Sequence, residues 1–276
     1  MRTALVTVVH GRHGHLRMQS AGLDRSRVRP DLRIVVALDD PGVAALVGDE
    51  VDVIDCPTTD SGLPLARARN LGAERALALG AEVLIFLDVD CIPGDALVGR
   101  YAEVCADAAG PALFGGPVTY LPPAPAGGYR LDVLHTLTRP HPARPDPGPD
   151  RLVTAEDHDL FWSLSFAVSA PTWRLLGGFC EQYIGYGAED TDFGAVAHRL
   201  GVPLVWVGGA HAYHQHHPVS HPPVEHLDDI VANSRVFRRR WGRWPMPGWL
   251  DAFERDGVIS RRGDDIVSLR TSRRPT

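Results

Sequence analysis

The chain has no lysine; all 28 of its basic residues are arginine. Chemistry that needs a lysine, whether a Schiff base or the phosphate-binding lysine of a P-loop, is thereby excluded. Long hydrophobic runs are missing too. The longest apolar stretches are five or six residues, against the roughly 20 that cross a bilayer. Cysteine is scarce: Cys56, Cys91, Cys105 and Cys180 are scattered and form no CxxC pair. They lack zinc or disulfide spacing and read as buried thiols of a reducing cytoplasm. Nor is there an excess of positive charge. The formal net charge is −6, which argues against a nucleic-acid partner. A phosphate-bearing substrate would need local help from arginines or a metal. The start, Met1 to Thr7, runs straight into a strand-like segment and is expected to carry no signal peptide.

What is present is a long alternation of strand and helix signals. Strands are expected over Ala4–Val9, Arg33–Leu38, Val51–Ile54 and Glu82–Leu87. The last is nearly all apolar and is expected at the centre of a parallel sheet covered on both faces. A helix follows Pro64, with Leu65, Ala68, Gly72, Ala76 and Leu79 at spacings of three and four and Gly80 as its C-cap. A second helix is expected over Asp95–Asp107, and after Val9 a loop. Eight prolines between residues 121 and 150 interrupt the pattern, as a linker or a flap over a site. Then come a strand over Trp162–Val168, a Gly177-Gly178-Phe179 turn, a helix over Glu189–Leu200, a strand over Pro203–Val207, a helix from about Val224 to Trp241 and an aromatic tail. Such alternation predicts an open α/β sheet whose ligands lie beyond the carboxyl ends of the strands. One domain is expected, with residues 1–120 and 151–276 as its two halves and 121–150 forming the loop between them.

Three clusters carry the chemistry. Asp88-Val89-Asp90 ends an apolar strand, an expensive place for two like charges unless a cation joins them. A hard divalent ion bridging a diphosphate would satisfy both carboxylates; solvated loop aspartates are the plainer alternative. Glu189, Asp190 and Asp192 crowd a helix start behind Tyr183-Ile184-Gly185-Tyr186-Gly187. Helix capping explains one or two of these acids, and a carboxylate there could serve as general base toward a hydroxyl. Five histidines fall within eleven residues, at His211, His214, His216, His217 and His221. At least one is expected to complete a metal shell with Asp90. Of Arg67 and Arg69, one is expected to face a nucleotide and the other solvent. The arginines from Arg235 to Arg243 read as a solvated helix face.

Together these segments resemble GT-A fold glycosyltransferases of the family 2 type, with a C-terminal half similar to the galactosyltransferase C-terminal region. The resemblance rests on Ala68-Arg69-Asn70-Leu71-Gly72, Phe86-Leu87-Asp88-Val89-Asp90, Gly177-Gly178-Phe179 and Gly187-Ala188-Glu189-Asp190-Thr191-Asp192. It covers roughly residues 3–215, with Cys180 standing where the family usually has aspartate. It implies a single-domain GT-A α/β fold and a Mn²⁺- or Mg²⁺-dependent transfer from a nucleotide-diphosphate sugar, UDP by default, to an acceptor hydroxyl. Val9, His10, Gly11, Arg12, Asp39, Arg69, Asn70, Asp88 and Val89 would hold the donor. Asp90 and His214 would bind the metal, with Asp88 and His216 in reserve. Asp190 would be the base of an inverting displacement, and Glu189 would grip a sugar beside it. Trp162, Tyr186, Gly187 and Asp192 would meet the acceptor.

Retention of configuration in a related family is the near alternative. Three others come from different classes. A haloacid-dehalogenase-like phosphatase shares the paired aspartates, but it wants them near the chain start and a lysine besides. A sugar nucleotidyltransferase wants a glycine- and lysine-bearing loop, for which Gly11-Arg12-His13-Gly14 is a poor substitute. A non-catalytic sugar-binding module needs no acidic cluster at 189–192.

Overall fold

Apolar, β-branched segments separated by short amphipathic ones build the fold of a computed structural model that describes residues 1–269. Residues 270–276, the end of the expected C-terminal half, lie outside the described residues. In chain order the elements are β1 (Thr3–Val9), α1 (His13–Asp24), β2 (Leu32–Leu38), β3 (Val51–Cys56), α2 (Leu65–Ala78), β4 (Val83–Leu87), β5 (Cys91–Pro93) and α3 (Leu97–Asp107). These are followed by β6 (Leu113–Gly115), β7 (Val118–Tyr120), β8 (Leu152–Thr154), β9 (Ser165–Ser169), α4 (Ala170–Leu176), α5 (Glu189–Arg199), β10 (Leu204–Val207) and β11 (Ala212–His214). The chain closes with α6 (Leu227–Trp241), α7 (Pro247–Arg255), β12 (Ile259–Arg262) and β13 (Asp265–Ser268).

Eight strands form one sheet in the order β3-β2-β1-β4-β9-β6-β10-β8. The strands from β3 to β4 are parallel, and β9 is antiparallel to both β4 and β6. The sheet is thus mixed. Strand β4 is buried along its whole length, as expected, but has one parallel and one antiparallel neighbour. Alternate residues feed two cores. Ala4, Val6, Leu84 and Phe86 pack with α2 and an aromatic group of Phe166, Trp173, Phe179 and Phe193, while Leu5, Val83, Ile85 and Leu87 pack with α3. Each fully buried phenylalanine contributes about 1.5–3 kcal/mol. Helix α2 lies close on β1 because position 72 is glycine; a Cβ there would fall 2.4 Å from Val6 Cγ1.

Three segments depart from expectation. The loop expected after β1 runs only from His10 to Arg12, and α1 begins at His13. Its His13-Gly14-His15 opening has weak helix propensity and Arg12, in a left-handed conformation, gives no side-chain cap, so burial of Leu16, Gly22 and Leu23 forms it. The proline-rich stretch holds one 3₁₀ turn, Leu131–Leu137, and is packed down by buried Leu121, Leu134 and Arg144. The aromatic tail is the helix α7 and the β12–β13 hairpin, which share a small core with α6 through Ile230, Leu250, Phe253 and Ile266.

Strands β1, β2 and β4 all end at one edge, at Val9, Leu38 and Leu87, and Ser165 begins β9 opposite Leu87. A separate three-stranded sheet, β5-β11-β7, sets His214 of β11 opposite Cys91 and beside Tyr120. That register carries the histidine loop to the paired aspartates.

Candidate active site

The Asp88-Val89-Asp90 turn is held from three sides. Buried Gln19 of α1 donates from Nε2 to the carbonyls of Asp88 (2.8 Å) and Cys91 (3.2 Å), and its Oε1 accepts from Thr7 Oγ1 at 3.0 Å. The Gln215 amide donates to the Asp90 carbonyl at 2.7 Å. Val89 turns into the core, leaving the two carboxylates at the strand edge.

Asp90 is buried, and its carboxylate meets three nitrogens. Arg12 Nη1 lies 2.6 Å from Oδ2, His217 Nε2 3.5 Å from Oδ2, and His214 Nε2 3.5 Å from Oδ1. Burial alone would raise this carboxyl; the hydrogen bond from His217 and the charges of His214 and Arg12 outweigh it and hold it at about 2. Burial lowers His214, which favours the neutral imidazole that ligates metals. One ligand atom from each of Asp90, His214 and His217 lies within 4.8 Å of the others. Tyr120, 46% exposed, stacks on the His214 ring at 4.6 Å.

Asp88 belongs to a second group, centred on Arg69. The buried guanidinium lies 3.1 Å from Asp88 Oδ1 through Nη2 and 3.2 Å from Glu189 Oε1 through Nη1. The other oxygen of Glu189, Oε2, is buried with no hydrogen-bond partner among the described residues. Burial and the neighbouring charge of Asp190 push Glu189 up to about 7 against the pull of Arg69. Asp88 rises to about 6 for the same reasons, with Asp90 and Asp190 adding repulsion. Asp190, at the start of α5 and half-buried, is also raised by burial, opposed by the Thr191 amide (2.7 Å) and by the charges of Arg69 and Arg144. Two carboxylates gripped by one arginine thus flank a third that is not.

Several expected site residues have structural duties instead. Asn70 is not free to touch a donor: its amide donates to the Phe179 carbonyl and Glu181 Oε1, both at 2.9 Å, and accepts from the Phe179 amide. Asp192 does not reach an acceptor. It is 1% exposed, and its Oδ1 accepts from Tyr183 Oη (3.0 Å), Arg240 Nε (2.7 Å) and Trp241 Nε1 (2.6 Å). His216 is exposed and is not in the group that Asp90 forms with His214; His217 takes the place expected for it. Val9 and Val89 bury their side chains together, leaving only main chain for a ligand. Asp39 accepts from Thr58 N at 2.8 Å and also from the Thr58 hydroxyl, while Asp40 holds Gly11 N at 2.8 Å. His10 is exposed, with Nδ1 2.8 Å from the Leu38 carbonyl.

On the far side of Asp190, Tyr186 is 36% exposed and stacks on His226 at 4.5 Å. Its loop is fixed by Asn233 of α6, whose Nδ2 donates to the carbonyls of Ile184, Tyr186 and Gly187 at 2.9–3.2 Å. Gly187 has φ +94°, open to glycine at little cost. Trp162 is half-buried with the Arg144 guanidinium 4.0 Å over its ring. Arg67 is exposed, as one of that pair was expected to be, and Arg69 is buried between Asp88 and Glu189. Of the other histidines, His211 bonds Thr119 Oγ1 at 2.8 Å and His221 is exposed.

The sequence reading passed over Gln19, Tyr120, Arg144 and Asn233. An Asn in the middle of a helix face was a usable signal for Asn233; the remaining three carried none.

No protein-family model matches the chain. It is similar to validoxylamine A glucosyltransferase of Streptomyces hygroscopicus subsp. jinggangensis (strain 5008), 31% identical over 171 residues, which take in 52% of this chain and 37% of that protein. The protein of the same name from subsp. limoneus is also 31% identical over 171 residues, 35% of its length. The chain spans little more than a third of the curated relatives it matches. Among solved structures it superposes on S. aureus TarS 1–349 with a TM-score of 0.57 at 14% identity, covering 86% of this chain and 64% of that one. Against the same fragment in complex with UDP-GlcNAc the TM-score is 0.55 at 12% identity, covering 90% and 75%. The fold is therefore the GT-A-like α/β fold expected from the sequence. The chain is thus similar in sequence to a glucosyltransferase over about half of its own length, and similar in fold to TarS.

Proposed function

We propose that the chain transfers a sugar from a nucleotide-diphosphate donor to an acceptor hydroxyl, with a divalent metal and with Asp190 as general base. The observation that carries this reading is the convergence of Asp90, His214 and His217 at the same strand edge as a separate, half-open carboxylate, Asp190. UDP is the favoured nucleotide, because a TarS fragment of the same fold binds UDP-GlcNAc. The donor half is 1–120, where the turn from His10 to Arg12, Asp39 and Arg69 face the nucleotide sugar. Residues 121–150 cover the site, and 151–276 supply the acceptor groups Tyr186, Gly187 and Trp162.

The donor set fits a metal. One carboxylate oxygen and two imidazoles suit Mn²⁺ better than Mg²⁺, which prefers oxygen and water. When bound, the ion supplies Lewis-acid and electrostatic stabilisation to the departing diphosphate. The remaining work belongs to the side chains. Arg69 holds Asp88 and Glu189 in place and stops their charges from repelling the site open. Glu189 Oε2, buried and unpartnered, suits a sugar hydroxyl. Asp190 takes the acceptor's proton as the hydroxyl attacks, and a single displacement of this kind inverts the anomeric carbon.

The test is direct. Purified protein is melted with Mn²⁺ and each of several UDP, GDP and TDP sugars, and slow donor hydrolysis is followed. Stabilisation that requires both metal and one nucleotide class is expected; none with any combination refutes the reading. The anomeric configuration of the product, read by NMR, separates inversion from retention.

A further inference from the structure

We propose that Arg12 couples metal binding to diphosphate binding, a role that rests on the metal-dependent reading above. Arg12 Nη1 lies 2.6 Å from Asp90 Oδ2, and His217 Nε2 lies 3.5 Å from that same oxygen. One carboxylate oxygen therefore serves a permanent cation and a candidate metal ligand together. Arginine does not shed its proton in proteins. A divalent ion held by Asp90, His214 and His217 would sit against this guanidinium, and each cation would weaken the other's hold on Asp90.

A nucleoside diphosphate resolves it. Its phosphates neutralise both cations at once, and a guanidinium binds phosphate through two parallel hydrogen bonds. Arg12 has room to make that exchange. Its side chain is 39% exposed and borders a cavity of about 430 Å³ shared with His15, Met18, Tyr129, Gln215 and His216. Its main chain stays fixed meanwhile, since the Arg12 carbonyl accepts from the amides of His15 (2.9 Å) and Leu16 (3.1 Å) at the start of α1. The side chain can leave Asp90 without disturbing the helix. The metal is then held weakly alone and tightly with the diphosphate.

The experiment measures Mn²⁺ affinity by electron paramagnetic resonance and calorimetry, with and without UDP, in wild type, Arg12→Gln and Arg12→Asn. Asparagine tolerates the positive φ of +50° at this position, so at least one variant keeps the fold, checked by its melting curve. Mn²⁺ alone should bind both variants about 10-fold tighter than wild type, within the 5–150-fold typical of coupling between sites. UDP without metal should bind them more weakly. A merely structural role for Arg12 would lower the metal affinity, not raise it. If Mn²⁺ alone binds neither variant more tightly, the coupling role is wrong and the metal site stands. If wild type binds no Mn²⁺ even with UDP, the metal reading falls and the coupling with it.

Discussion

Asn70 and Phe179 are joined in both directions, the Asn70 amide donating to the Phe179 carbonyl and the Phe179 N–H donating to Asn70 Oδ1, each at 2.9 Å. The pair ties α2 to the turn before α5, and the turn fits because residue 178 is glycine; a Cβ there would lie 2.8 Å from Asn70 Oδ1. Phe179 in turn stacks on Phe193 of α5 at 4.4 Å, the helix whose first turn bears Glu189 and Asp190. Asn70 therefore positions helix α5 from a distance.

Asn70→Ala should cost about 2–3 kcal/mol in urea unfolding, from two lost hydrogen bonds to the Phe179 main chain near 1 kcal/mol each, a weaker exposed one to Glu181, and main-chain groups left unpaired. Turnover should fall more than donor affinity. A variant of full stability with weakened donor binding would restore Asn70 to the donor site.

Asp192 makes the same point inside α5. It draws Tyr183, Arg240 and Trp241 onto one carboxylate, locking α5, α6 and the loop before Tyr186. Arg240 is about a third exposed, so water screens part of the loss. Asp192→Ala should still destabilise by about 2–4 kcal/mol, toward the lower end of what breaking a buried pair costs. The folded fraction should keep its acceptor KM; a raised KM at unchanged stability would count against this assignment.

What the sequence made legible was residue type at a strand end or a helix start. Apolar runs and turn chemistry located the strands from β1 to β4, and charge crowding picked out Asp88, Asp90, Glu189 and Asp190. What it concealed depended on which way a side chain turns. Asn70 stands next to Arg69 in one motif, yet one is consumed by a distant main chain and the other by two carboxylates. Asp192 shares a motif with Asp190 but lies on the inner face of α5. His216 and His217 are adjacent in a loop, and only the second meets Asp90, a choice that no residue type announces. Helix α1 escaped because tertiary burial forms it in place of propensity or capping.

The histidine choice yields its own prediction. His214→Ala and His217→Ala should each weaken Mn²⁺ binding at least ~10-fold, the loss that even an outer-shell partner can cause, whereas His216→Ala should stay close to wild type. Calorimetry in the presence of UDP reads all three. An equal loss in His216→Ala would mean that the loop rearranges around the ion.

The last prediction concerns pH. Asp190 is raised by burial, above the ordinary aspartate value of about 3.9. A base works only when ionised, so activity should be lost as pH falls through this raised value, and the acid limb of kcat/KM should lie above the ordinary aspartate value. Arg144 opposes the rise, although it comes from the proline-rich segment and is held by the carbonyls of Leu160 and Trp162. Removing its charge with Arg144→Gln should therefore move the acid limb to higher pH, since nothing else would compensate for the burial of Asp190 except Arg69 and Thr191. Asp190→Asn should abolish that limb, lower turnover by roughly 10²–10⁴-fold, the worth of a positioned base, and leave donor binding intact. If the acid limb stays put in Arg144→Gln and survives in Asp190→Asn, the titrating group is another carboxylate, with Glu189, pushed up to about 7 by its own burial, next in line.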